Sequence, residues 1–101
     1  MLTSKQRAQL RGLAATEDTI VHIGKGGITD NIITQMSDAL KARELVKGRV
    51  LENSLLTARE ACDALAETCR AEPVQVIGST FVLYKRNEQK PKIELVKKAK
   101  K

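Results

Sequence analysis

A β-branched segment that leads directly into a glycine-rich loop is the feature that most constrains the fold of this chain. Thr19–Ile23 has the profile of a short buried strand, and residues 24–27, Gly-Lys-Gly-Gly, follow it at once. Thr29 or Asp30 can then cap a helix that ends at about residue 43, with apolar residues at core-facing spacing. The sequence therefore predicts a strand, a glycine loop and a helix in direct succession.

A second strand is predicted over residues 45–51, which would close a βαβ unit with two parallel strands and a right-handed crossover. Lys47 and Arg49 should lie on one face of this strand, with Leu45 and Leu51. Gly48 lies between them and is expected to interrupt the strand, because glycine weakens strand interiors.

Two capping boxes and one hairpin complete the predicted order of elements. Residues 3–6 (Thr-Ser-Lys-Gln) and 57–60 (Thr-Ala-Arg-Glu) have the capping-box pattern and should open helices that end near Ala14 and Cys69. Residues 73–86 predict a β-hairpin with a short glycine-containing turn. The expected fold is a single compact α/β domain of order α-β-α-β-α-β-β, with helices packed on a four-stranded mixed sheet.

Length and aromatic content exclude several classes of protein. A chain of 101 residues with 42% apolar and 30% charged side chains can bury one modest core, so it is neither disordered nor a multidomain enzyme. One Tyr, one Phe and no Trp cannot form a surface that stacks successive bases of a single strand. No apolar segment is long enough to span a membrane or to serve as a signal peptide, so a cytoplasmic protein is expected.

The basic charge is concentrated at the end of the chain. Residues 85–101 carry eight basic and two acidic side chains, which equals the whole formal net charge of +6. We expect residues 1–86 to form the domain and residues 87–101 to form a basic tail, loosely attached or disordered. Such asymmetry favours a polyanionic partner, although a basic tail can also serve solubility alone.

The glycine loop is the constellation with the clearest chemical mechanism. Glycines allow positive φ and a close approach of a ligand's backbone, the next helix offers free amide groups, and Lys25 can reach a phosphate oxygen. Thr29 stands where a dinucleotide-binding fingerprint needs its third glycine, and no P-loop is present. A tight turn that binds nothing remains an alternative.

Basic side chains elsewhere could line one surface with Lys25 and hold a phosphate backbone, or they could be ordinary solvating charges. These residues are Arg7, Arg11, Lys41, Arg43, Lys47 and Arg49. The acidic outward face of the third helix (Glu60, Asp63 and Glu67) should lie away from any nucleic acid.

No catalytic, metal or cofactor site is predicted. His22, the single histidine, lies in a predicted strand without an identifiable Ser, Cys or Asp partner, so a structural role is expected. Cys62 and Cys69 are expected to be reduced core residues, since they lack further ligands at zinc-site spacing.

Several motifs together point to one known family, and they lie in residues 2–7, 10–14, 23–29, 44–47, 75–78 and 82–85. These segments resemble the CRM (chloroplast RNA splicing and ribosome maturation) domain in its bacterial stand-alone, YhbY-type form. The resemblance implies a fold similar to the C-terminal domain of bacterial translation initiation factor three. It also implies RNA binding through a Gly-x-x-Gly loop like that of KH domains, which maps onto Gly24, Lys25, Gly26 and Gly27.

The resemblance implies that the partner is ribosomal RNA. Bacterial stand-alone members are associated with precursors of the large ribosomal subunit, and plant relatives with intron splicing. Lys85 and Arg86, at the end of the hairpin, complete the candidate RNA-binding set. Ser79 departs from the family pattern, because this turn position is often basic in relatives.

The sequence thus predicts a monomeric, non-enzymatic protein without cofactors that binds structured RNA, in particular ribosomal RNA in precursors of the large subunit. Two alternatives stay open: a splicing or messenger-binding adaptor, and a protein-interaction module whose basic tail is incidental.

Overall fold

The computed structural model describes residues 2–86 and residue 93, and it contains three helices and four strands within them. In chain order these elements are α1 (Ser4–Ala14), β1 (Thr19–Ile23), α2 (Asp30–Arg43), β2 (Leu45–Val50), α3 (Ala58–Cys69), β3 (Glu72–Ile77) and β4 (Thr80–Tyr84). The predicted order of elements is confirmed. None of the helices in the described part is long and apolar enough to cross a membrane.

Side-chain caps fix where each helix begins. The backbone N–H of Gln6 donates to Thr3 Oγ1 at 3.1 Å, and the Thr3 N–H donates to Gln6 Oε1 at 3.0 Å. Thr57 and Glu60 make the same reciprocal pair at the start of α3. Both predicted capping boxes are confirmed, and Thr29 is the cap of α2.

The four strands form one mixed sheet in the order β1-β2-β4-β3. β1 and β2 are parallel, as the predicted βαβ unit requires, and the other two pairs are antiparallel. The β3–β4 hairpin turns at Gly78 and Ser79, where Gly78 takes a φ of 57°. Glycine suits this position because a positive φ costs it little.

Helices cover both faces of the sheet. On one face, Leu10 and Ala14 of α1 pack in a cluster with Leu45, Val82 and Tyr84. On the other face, α2 and α3 contribute to a larger cluster around Val46, Val50, Phe81 and Leu83. Alternate residues of β2 therefore face different layers, which gives a three-layer domain.

The expected interruption at Gly48 is wrong. β2 is continuous from Leu45 to Val50, and Gly48 pairs with Val21 on one side and with Phe81 on the other. A Cβ added at Gly48 would lie 2.7 Å from Phe81 Cε1 and closer still to Cζ, inside van der Waals contact. The position needs glycine because the Phe81 ring occupies the space of a side chain.

Of the predicted tail, the structure describes Ile93 alone, and at this residue the chain is attached to the domain. Ile93 packs against the α1 cluster, and its N–H donates to Glu44 Oε1 at 2.7 Å. Glu44 is fully buried just after α2, with a φ of 64°. The rest of the predicted basic tail lies outside the described residues.

The packing at Gly48 predicts opposite effects for two glycine substitutions. Gly48→Ala should lower the free energy of unfolding by about 1–3 kcal/mol, because the new methyl group collides with Phe81. Gly12→Ala in α1 is the control, since a Cβ there meets nothing within 4 Å, and it should stabilise by about 0.5–1 kcal/mol. Urea unfolding of both variants measures this difference. A Gly48→Ala protein as stable as the parent would contradict the packing.

Burial of the α3 cysteines predicts slow thiol chemistry. Both are buried and unpaired, and burial raises the pKa of Cys62 from 9.0 to about 11 and also raises the pKa of Cys69. At neutral pH the Cys62 thiolate should thus be about 100-fold scarcer than in the unfolded chain. Alkylation followed by mass spectrometry should be about that much slower at Cys62 in the native than in the denatured protein, and it should also be slower at Cys69. Equal rates would contradict the burial of this helix face.

Candidate nucleic-acid interface

The glycine loop is a tight turn whose tip is open to solvent. The Gly27 N–H donates to the Gly24 carbonyl at 3.0 Å, so Lys25 and Gly26 form the tip, and both are exposed. Gly27 has a φ of 71°, whereas Gly24 and Gly26 have no positive φ. The backbone therefore demands glycine at position 27 and not at position 26.

Gly26 leaves space that a side chain could occupy. A Cβ built there would have Thr29 Cγ2 at 3.7 Å as its nearest neighbour, which is an ordinary van der Waals contact. Folding alone therefore gives no reason for glycine at the tip of the loop. A glycine that the fold does not require is suited to the close approach of another backbone.

The first turn of α2 adds backbone donors beside this tip. Thr29 Oγ1 accepts from the Ile32 N–H at 3.2 Å, which satisfies one of the free amides at the helix start. Asp30 lies in the same turn and its charge opposes an anion. Lys25 and the loop amides must therefore supply most of the attraction for a phosphate.

Two more loops lie at the same end of the sheet. The Leu51 N–H donates to the Ile23 carbonyl and the Val50 N–H donates to the Ser79 carbonyl, both at 2.8 Å. These bonds bring residues 51–57 and the hairpin turn next to the glycine loop. We call this region, residues 24–27, 51–57 and 78–79, the loop end.

Arg49 brings a cation to the loop end. It is exposed, pairs in register with Thr80, and lines a groove of about 420 Å³ with Ser54, Thr57 and Ser79. Ser79 itself brings no charge to the hairpin turn, and the structure places Arg49 beside that turn. The guanidinium of Arg49, on the neighbouring strand, can thus supply a positive charge beside the hairpin turn.

Arg11 and Lys47 lie further along the α1 face of the sheet, where they line a second groove. Lys47 Nζ donates to the Ala14 carbonyl at 3.4 Å, which holds the ammonium group between β2 and the end of α1. Arg7 is one turn before Arg11 on the same helix and is half-buried. The structure therefore groups Arg11, Lys47 and Arg49 on one face.

The other predicted cations lie elsewhere, so the expected single surface is not formed. Lys41 and Arg43 are at the far end of α2, whose 14 residues extend for about 21 Å from the loop end, and the sheet separates them from Lys47. Arg43 Nη1 lies 3.6 Å from Glu17 Oε1. Lys85 and Arg86 follow β4 at the opposite end, where the Lys85 N–H donates to the Glu44 carbonyl.

The remaining candidates for chemistry are dispersed. His22 is exposed on the edge strand β1, opposite Arg49 in register. Within residues 2–86 and 93, no three His, Cys, Asp or Glu side chains are grouped in a way that could hold a metal ion. Glu60, Asp63 and Glu67 are exposed along α3, as their spacing predicted.

Comparison with known proteins places these features in a family. The model of the CRS1 / YhbY (CRM) domain matches residues 2–85. A Bacillus subtilis protein named probable RNA-binding protein YqeI is 44% identical over 95 residues, which is 94% of this chain and 99% of the relative. A Haemophilus influenzae protein named RNA-binding protein is 33% identical over 97 residues, covering 96% of this chain and 97% of the relative.

A solved structure shares the fold as well as the sequence. The solution structure of SAV1595 from Staphylococcus aureus is 46% identical and superposes with a TM-score of 0.71. The match covers 95% of this chain and all of the other.

Proposed function

The chain belongs to the CRS1 / YhbY (CRM) domain family, and from this membership we propose that it binds structured RNA at the loop end of its sheet. Two relatives matched over nearly their whole length are named as RNA-binding proteins. The observation that carries the proposal is Gly26, a glycine at an exposed loop tip where the fold itself has room for a side chain.

Binding at this loop is electrostatic and shape-guided. The tip amides and Lys25 hold a phosphate of the RNA backbone, and the absence of a side chain at Gly26 lets that backbone approach. Arg49, Lys47 and Arg11 hold further phosphates along the α1 face. Contacts of this kind carry little base specificity, so affinity should fall steeply with salt.

The RNA we propose is ribosomal, in precursors of the large subunit, and the protein acts on it in the cytoplasm as a monomer without catalysing a reaction. Position along a sucrose gradient of cell extract tests this finer proposal. The protein should sediment with precursors of the large subunit. Sedimentation only with messenger or intron-containing RNA would favour an adaptor role, and sedimentation unaffected by ribonuclease would favour a protein partner.

The glycine loop gives a sharp test of RNA binding. Gly26→Asp adds a carboxylate where a phosphate should lie, and it should lower affinity for a ribosomal RNA fragment by at least about tenfold. Gly12→Asp makes the same charge change on the exposed side of α1 and should leave affinity nearly unchanged. Fluorescence anisotropy measures both, with melting temperature as the check on folding.

The salt dependence of these variants adds a second criterion. A lost phosphate contact should make the slope of log K against log salt less steep by about 0.7–0.9 in Gly26→Asp alone. If a folded Gly26→Asp protein binds RNA with the affinity and slope of the parent, the loop is not the binding site.

A further inference from the structure

The α1 face of the sheet carries an open groove that is large enough to hold one small group. Its volume is about 340 Å³, at the lower end of the range for ligand pockets. It lies between the second half of α1 and the outer part of the β3–β4 hairpin. Its lining includes Arg11, Ala14, Lys47, Gln75, Ile77 and Thr80.

The groove exists because α1 covers only part of the sheet. Leu10 and Ala14 cover Val82 and Tyr84, but the next pair towards the turn on this face of the sheet, Ile77 and Thr80, lies beyond the helix. Ile77 is consequently 60% exposed. A large aliphatic side chain at the rim of a groove offers a flat apolar contact for a ligand.

The charge and polarity of the lining favour a polyanionic ligand. They also favour a planar group that carries hydrogen-bonding atoms at its edge. Arg11 and Lys47 are the charged lining residues, and the described part of the chain places no carboxylate among them. Gln75 can both donate and accept hydrogen bonds, and Thr80 Oγ1 already donates to the Ile77 carbonyl at 2.9 Å. An apolar peptide would offer no charged or polar partner to Arg11, Lys47 and Gln75.

The groove is continuous with the loop end through Arg49. Arg49 pairs with Thr80 and Lys47 pairs with Val82, so the two cations follow each other along one face of β2, roughly 6–7 Å apart. A strand of RNA held at the glycine loop would pass Arg49 before it reaches the groove. The two sites are thus placed to contact neighbouring parts of one RNA.

We infer that this groove binds the base of one unpaired nucleotide. This inference rests on the proposed binding of RNA at the loop end. The base lies against Ile77, Gln75 reads its polar edge, and Arg11 stacks on it or holds its phosphate. Lys47 and Arg49 hold the flanking phosphates. Phe81 and Tyr84 are buried, so the face offers aliphatic and guanidinium contacts for one base and no aromatic platform for a series of bases.

The test uses two RNA stem-loops that differ only in the loop. One carries unpaired uridines, and the other carries abasic ribose phosphates at the same positions, so that both present the same backbone charge. The variant Ile77→Ser removes the apolar contact at an exposed site. Leu13→Ser is the matched control, because Leu13 is 41% exposed on α1, lies outside the loop end and lines neither groove.

The inference predicts that the parent protein binds the uridine loop about tenfold more tightly than the abasic loop. Ile77→Ser should remove this preference and leave affinity for the abasic RNA unchanged, whereas Leu13→Ser should keep the preference. Equal affinity of the parent for the two RNAs, or an equal loss on both RNAs in Ile77→Ser, would overturn it. A change in oligomeric state on Ile77→Ser would also overturn it, since a second copy of the chain would then occupy the groove.

The same measurements separate this inference from the proposed function. Gly26→Asp should weaken binding of both stem-loops by a similar factor, because it acts on the backbone. If Gly26→Asp weakens binding of both stem-loops and Ile77→Ser changes binding of neither, RNA binding at the loop end stands. The proposed binding of a base in the groove is then wrong. If the parent binds neither RNA, the proposed function itself fails.

Discussion

The arrangement of the sheet depends on the close contact between Gly48 in β2 and Phe81 in β4. At Gly48 the central strand β2 pairs with β1 on one side and with β4 on the other. The Phe81 ring crosses the strand at that point and fills the core beneath α2 and α3. Because β1 and β2 are parallel and β4 is antiparallel to them, their pairing brings the glycine loop, residues 51–57 and the hairpin turn to one end of the sheet. The candidate RNA-binding site follows from this arrangement of strands.

Local sequence patterns predicted the elements well because local interactions determine them. The capping boxes at Thr3 and Thr57, the β-branched strand before Gly24 and the hairpin at Gly78 each depend on residues close together in the chain. The interruption predicted at Gly48 is wrong because the requirement for glycine comes from Phe81. This residue is distant in sequence and lies next to Gly48 only after the hairpin pairs with β2. The attachment of Ile93 to the buried Glu44 carboxylate has the same long-range character.

Prediction of the candidate site from the sequence was also limited by contacts between residues that are distant in the chain. The sequence identified the glycine loop and the basic residues but could not divide the latter among faces. Alternation along β2 turns Lys47 and Arg49 towards α1, whereas α2 carries Lys41 and Arg43 on the opposite side of the sheet. The groove beside Ile77 had no sequence signal, since it arises from the incomplete cover that α1 gives to the sheet. Cations on both sides of the domain and in the basic C-terminal segment would add salt-dependent attraction, while the loop end would determine how the RNA is held.

The central proposal is that RNA binds at the loop end. Amide NMR spectra of the isotope-labelled protein, titrated with a ribosomal RNA stem-loop, test it residue by residue without any substitution. The largest changes are expected at the amides of Lys25, Gly26 and Gly27, followed by those of Arg49 and Ser79. Changes confined to α3, or to Lys85 and Arg86 at the opposite end of the sheet, would contradict it.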